Sequence, residues 1–217
     1  QSSAEEFCGI LKKAKAAFSH RELVYSLDEG LTQAQRQVAL TKKPVVLLEH
    51  ADRMVDSTHV LKEVVRLKLG RTAVPFLWDA AAVAQVIRAG VGTQVTVSVG
   101  GHSSNRAGDP VSITGEIIFA GPKAFRATGP YYTGRWIDLG DVVVIDTGYM
   151  VLSLTTRPSV AVSEDCFIQF DMDINDFNYV LLRSKTHFRA SYTSITGAII
   201  IIDTPDWGPA DLLTLDY

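Results

Sequence analysis

Three short polar strings concentrate the side chains of this sequence that are able to do chemistry. The first, Glu49-His-Ala-Asp-Arg-Met-Val-Asp-Ser-Thr-His59, brings carboxylates, an arginine and two histidines into one stretch. Asp56, Ser57 or Thr58 suits the cap of a following helix, and Arg53 suits a bidentate fork on a carboxylate. His50 and Asp52 are two apart, so on an extended segment they point the same way, and with Asp56 and His59 they raise a metal reading. No HExxH string supports it, and a capped helix with solvated charges explains the same residues. The second string, Gly100-Gly-His-Ser-Ser-Asn-Arg106, pairs glycines that allow a tight turn with His102, a base or donor, and Ser103. A plain turn needs the glycines too. The third, Arg183-Ser-Lys-Thr-His-Phe-Arg189, gathers Lys185, His187 and Arg189, a positive cluster suited to an anionic group such as a peptide carboxylate. Simple surface charge is the alternative. Ser184 and His187 lack the GxSxG turn of a hydrolase nucleophile. A fourth, proline-punctuated string from Asp203 to Leu212 reads as a loop and a short final helix, with Trp207 sealing the end of a sheet.

The elements that position these strings follow from the spacing of apolar residues. Phe7, Ile10, Leu11, Ala14 and Phe18 recur at three and four, which predicts an amphipathic helix over Ser3 to Phe18, and a second helix follows over Leu27 to Leu40. Residues 1–42 therefore read as a helical leader or interdomain connector, and residues 43–217 as an α/β domain. Pro44 to Leu48, Thr72 to Leu77 and Val95 to Val99 read as strands, separated by helices over Ser57 to Leu69 and Asp79 to Ala89. That alternation predicts parallel crossovers. Residues 111–155 break into short strands at glycine or proline turns, an antiparallel insertion. Asp165 to Phe170 reads as a short helix or turn. Val180 to Arg183 and Ala198 to Ile202 return to apolar strands. The fold class expected is α/β, a mostly parallel sheet flanked by helices with that insertion. Strands running the same way deliver 49–59, 100–106 and 183–189 to one rim, where open α/β sheets bind ligands.

The composition narrows the function. Lys plus Arg number 21 against 24 Asp plus Glu, a net charge of −3, so no broad positive field draws nucleic acid. Apolar runs such as Ala198 to Ile202 fall far short of the roughly 18–20 residues of a membrane span. Cys8 and Cys166 lie far apart, with neither a disulfide framework nor a CxxC site, which fits a reducing, cytoplasmic compartment. The start at Gln1 has neither an initiator methionine nor the regions of a signal peptide, and fits a processed product or an excised fragment.

Taken together, the strings Pro44-Val-Val-Leu-Leu-Glu-His-Ala-Asp-Arg-Met-Val-Asp-Ser-Thr, Val91-Gly-Thr-Gln-Val-Thr-Val-Ser-Val-Gly-Gly-His, Ser184-Lys-Thr-His-Phe-Arg-Ala and Asp203-Thr-Pro-Asp-Trp-Gly-Pro-Ala-Asp-Leu are familiar. In order and spacing they resemble the carboxy-terminal domain of the microcystinase C (MlrC) family of metallopeptidases, over nearly the whole chain. The resemblance implies a two-domain enzyme that hydrolyses linearised microcystin or short peptides with bound zinc. It places the metal ligands in an amino-terminal domain of the same parent protein, so no metal ligand is expected in this chain. It also implies that the loops around Asp52, Asp56, His102 and His187 face the cleft between the two domains. The substrate-binding candidates are Asp52, Arg53, Asp56, Ser57, Ser103, Lys185 and Arg189, with His102 and His187 as auxiliary hydrogen-bond donors to the peptide. Many relatives carry a longer glycine-rich loop where this chain has the short Arg53-Met-Val-Asp56, so no phosphate-cradling role is carried over. Two other readings stand beside this one: a stand-alone module that holds an anionic metabolite without turnover, and a self-sufficient hydrolase built on His50, Asp52 and His59.

Overall fold

The computed structural model describes residues 2–14 and 24–210. Positions 15–18 of the first expected helix, and Asp211 and Leu212 of the expected final helix, lie outside them. Nine strands form one sheet in the order β1-β9-β2-β8-β3-β7-β6-β5-β4. Its parallel part is β1 (Val24–Tyr25), β9 (Ala198–Ile202), β2 (Val45–Glu49), β8 (Tyr179–Leu182), β3 (Thr72–Trp78) and β7 (Met150–Thr155). Antiparallel pairing then adds β6 (Trp136–Asp146), β5 (Val111–Arg126) and β4 (Gln94–Val99).

Period-two alternation sorts the strand residues between two cores. In β2, Val45 and Leu47 face one core, with α2 (Leu27–Thr41), α3 (His59–Leu67) and α4 (Ala80–Val86). Val46 and Leu48 face the other, with Phe167 of α5 (Asp165–Ile168) and Tyr192 of α6 (Arg189–Ile195). All five residues of β2 are buried, as a central parallel strand covered on both faces requires. Each such Val or Leu contributes about 1.5–3 kcal/mol of burial. The helix over residues 3–14, α1, buries nothing among the described residues. α2 opens on a capping box between Ser26 and Glu29, and lies so close to the sheet that a Cβ on Gly30 would meet Ile202 at 2.7 Å.

One expected strand direction is corrected. Gln94–Val99 pairs antiparallel with β5, so the antiparallel part begins one strand earlier than residue 111. Helix α4 and the 3₁₀ turn Ile87–Ala89 do lie between β3 and β4, but β4 ends the sheet with Gln94, Thr96 and Ser98 exposed, the one-sided burial of an antiparallel edge strand and not the two-sided burial of a parallel one. The short strands expected over 111–147 also merge into two long ones, β5 and β6, with register shifts at Ile117/Phe119 and Pro122/Ala124. Such bulges bend a ribbon. The curl carries Val97, Val99, Val111 and Ile113 over α4 and into the first core.

Candidate functional site

The turn after β2 is built around Asp52. One carboxylate oxygen accepts from the backbone N–H of Met54 (2.8 Å) and Val55 (2.7 Å), the other from Ser57 N–H at 3.1 Å. This network holds Val55 at φ 58°, a left-handed conformation unusual for a β-branched residue, with its carbonyl accepting from Trp78 N–H. The residue before the turn, Glu49, is fully buried, and so is Arg183 after β8. β2 and β8 run in register with Leu48 opposite Leu182, which makes Glu49 and Arg183 cross-strand neighbours. The Arg183 guanidinium Nε lies 3.2 Å from Asp52 and 3.9 Å from Glu49, and donates with Nη2 to the Ser57 carbonyl. Ser57 Oγ donates to Glu49 Oε1 at 2.5 Å. Burial, reinforced by the neighbouring Asp52, pushes the Glu49 carboxyl above its ordinary value despite Arg183. Among the described residues Glu49 Oε2 and Arg183 Nη1 have no hydrogen-bond partner.

A second knot joins this turn to residues 100–106. Asp56, fully buried, accepts from the N–H groups of His102 (2.9 Å) and Ser103 (2.7 Å) and from Ser103 Oγ (2.6 Å). Asp79 caps α4 by accepting from Ala82 N–H and takes Gly100 N–H on its other oxygen. Gly101 sits at φ 68°, and a Cβ there would meet the Gly108 carbonyl at 2.5 Å, so only glycine fits this turn. His102 turns Nδ1 towards both carboxylates, its ring lies 5.3 Å from that of Trp78, and its side chain is 38% exposed. Nε2 is left as the nitrogen for a ligand.

The loop after β9 ties the knots together. Gly208 N–H donates to the Ala51 carbonyl, Lys185 Nζ donates to the Gly208 carbonyl at 2.7 Å, and Trp207 Nε1 donates to Ser104 Oγ. Arg106 lies over the Trp207 ring at 4.9 Å. The Arg53 guanidinium packs on Gly208 so closely that a Cβ there would meet it at 2.4 Å. His50 is pushed below its ordinary value by burial and then by Arg53, with Arg189 adding to the same effect. Asp206, also buried, is pushed up by burial, with Asp52 and Asp56 adding to the effect.

The structure therefore brings the 49–59, 100–106 and 183–189 segments to one rim, but not through a common strand direction. β4 reaches it because the β5–β6 ribbon curls. Within the rim the candidates divide. The carboxylates of Asp52 and Asp56 and the Ser57 hydroxyl face inward and are taken up by the protein's own donors and acceptors. Arg53, His102, His187 and Arg189 are exposed, and Lys185 and Ser103 are partly exposed. His187 stands apart from the other histidines, stacked on Tyr131 at 4.1 Å.

A zinc ion would need free lone pairs on clustered ligands. Asp52, Asp56 and Asp79 spend theirs on backbone and side-chain donors, and His59 donates through Nε2 to the Arg106 carbonyl. Among the described residues no group of three or more His, Cys, Asp or Glu side chains is placed to hold a metal, so the residues present do not fit zinc. His50, Asp52 and His59 are accordingly not gathered into a metal-holding group. Sequence reasoning missed the Glu49–Arg183 pair and Asp206. A signal existed: Glu49 and Arg183 each end an apolar strand with a charge. Among the described residues no helix is long and apolar enough to cross a membrane.

Comparison with known proteins agrees with this architecture. A crystal structure of a protein from Mesorhizobium sp. BNC1, described as a "putative metallopeptidase", matches with a TM-score of 0.81 at 20% identity. The match covers 96% of this chain and 42% of that one, so this chain spans less than half the length of its structural relative. At such identity the likeness establishes the fold. A search of curated proteins finds no match. The model of the family described as MlrC C-terminus matches residues 54–217, and the chain belongs to that family.

Proposed function

We propose that this chain is the substrate-cleft-completing domain of a zinc-dependent metallopeptidase of the MlrC type. In this reading it acts with an amino-terminal domain of the same parent protein, residues 1–42 connect the two, and the metal is carried by that other domain. The observation that supports it is the polarity of the rim: its carboxylates are turned inward, while Arg53, Arg189, Lys185 and His102 are left towards solvent. Such a rim suits a peptide. Arg53 and Arg189 grip a substrate carboxylate, Lys185 adds charge from its anchor on Gly208, and His102 donates a proton from Nε2 or accepts one there. Linearised microcystin or short peptides are the substrate class.

The test is steady-state hydrolysis of short peptides by the parent protein. Arg53→Gln and Arg189→Gln are expected to raise KM with kcat little changed, and His102→Gln to lower kcat. Stoichiometric zinc in the isolated chain, or peptide turnover by it, rejects the assignment. A melting temperature of the parent raised by small organic anions, without hydrolysis of any peptide, favours a metabolite-binding module instead.

A further inference from the structure

Among the described residues five other than glycine adopt positive φ, and three of them are exposed: Lys42 and Lys68 end helices, and Asp171 lies in a turn. The other two, Val55 and Phe76, are buried and bulky, and such conformations persist only where the surroundings hold them. They are linked. Trp78 N–H, two residues after Phe76, donates to the Val55 carbonyl at 2.9 Å.

Phe76 lies in a bulge of β3. Val74 pairs with Leu152 of β7 and Leu77 with Leu154, so Pro75 and Phe76 together face Ser153. A proline in a central strand is tolerated at such a place, since it has no N–H for the ladder. Val74 and Leu77, three apart, consequently enter the same core, where plain alternation would send them to opposite ones. The extra residue thus turns over every side chain that follows it in the strand. Asp79, two past Leu77, arrives on the side of α4, caps that helix through Ala82 N–H and takes Gly100 N–H at 2.9 Å. Trp78 is held by Val55 and by its own Nε1–H on the Thr156 carbonyl at 3.3 Å, with its ring 5.3 Å from that of His102. Asp79 stands 4.0 Å from His102 Nδ1. The bulge itself is tied to Ser153, a buried residue whose Oγ accepts from Phe76 N–H at 2.8 Å.

We propose that Ser153 is a positioning residue for His102: its hydroxyl holds the Phe76 bulge, and the bulge phases Trp78 and Asp79 onto the imidazole. The placement of the ring stands on this geometry alone. Its consequence for turnover rests on the peptidase reading, in which His102 donates or accepts a proton.

NMR of the 217-residue chain tests the placement, with the His102 ring signals assigned through His102→Gln. Wild type is expected to show nuclear Overhauser contacts between the His102 and Trp78 rings. Ser153→Ala strands the Phe76 N–H and is expected to weaken those contacts and shift the His102 ring signals; Ser153→Thr keeps the oxygen and is expected to restore both. In the parent protein Ser153→Ala is expected to lower kcat for short peptides several-fold with KM unchanged, and Ser153→Thr to recover it. No contact between the two rings in wild type, His102 signals in Ser153→Ala that match wild type, or equal shifts in both variants overturns the proposal. Should Ser153→Ala fail to fold, Ser153→Thr decides: wild-type ring signals support the proposal and displaced ones overturn it. If the ring moves in Ser153→Ala while kcat does not, Ser153 still positions His102 and the acid–base role of His102 falls.

Discussion

His102 Nδ1 lies 3.4 Å from Asp56 Oδ2, and the same oxygen accepts the backbone N–H of His102 itself at 2.9 Å. One carboxylate therefore fixes both the main chain and the ring of the histidine. Asp79 stands 4.0 Å from the same nitrogen and adds a second negative neighbour. A histidine oriented in this way presents its other nitrogen at a defined place on the rim.

Separating the two roles is straightforward. In the parent protein His102→Gln is expected to lower kcat for peptide hydrolysis by about 10²–10⁴-fold, the range for losing an acid–base group, with the thermal midpoint unchanged. Asp56→Ala strands three donors and is expected to cost at least about 2 kcal/mol of stability in urea unfolding. An unstable His102→Gln protein with normal turnover would reverse this assignment.

The Glu49–Asp52–Arg183 group makes a sharper stability prediction. Arg183→Met leaves two buried carboxylates without their cation and is expected to cost about 3–5 kcal/mol. Adding Glu49→Gln should recover part of the loss, so a double-mutant cycle in chemical denaturation departs from additivity by more than about 0.5 kcal/mol.

Two buried carboxyls respond to pH in opposite senses. Glu49 is raised from its ordinary 4.5, by burial first, so the folded state holds its proton longer than the unfolded chain. Stability falls as pH rises from that value through the folded one, and Glu49→Gln removes this loss. Burial also raises Asp165, but hydrogen bonds from Thr128, Ser163 and Gly129 outweigh it and leave the group below its ordinary 3.8. Its stabilisation is full above 3.8 and disappears as pH falls through the folded value. Urea midpoints for wild type, Glu49→Gln and Asp165→Asn between pH 2 and 8 check both signs.

Of the two cysteines, one should react. Cys166 is buried beside Tyr192, and burial pushes its thiol up to about 12, so almost no thiolate exists at neutral pH. Cys8 is exposed. Alkylation of the native chain at pH 7.5, followed by mass spectrometry, is expected to label Cys8 alone, and both after unfolding.

The strands that were legible in sequence are those whose neighbours do not matter to the signal. Val45–Glu49, Thr72–Trp78 and Ala198–Ile202 are short apolar β-branched runs whose burial on both faces removes any alternation, and their bounds shift by at most a residue or so. Gln94–Val99 instead alternates polar and apolar residues, as an antiparallel edge strand covered on one face does, but which partner it meets is not written in the run. The helix from Asp79 was legible, since its apolar spacing is local. The bond from Gly100 N–H to the second oxygen of Asp79 was not.

Residue order alone thus determined the α/β class, the two-sided burial of the central strands, and the polar strings at strand ends, because all of these arise from contacts within a few residues or from a fixed side-chain period. Only the folded chain decided that Asp52 and Asp56 turn inward, that Glu49 meets Arg183 across β2 and β8, and that a curled hairpin carries Tyr131 to His187. Those pairings join residues tens to more than a hundred positions apart. Register and ribbon curvature set them, and neither leaves a mark on any single stretch of sequence.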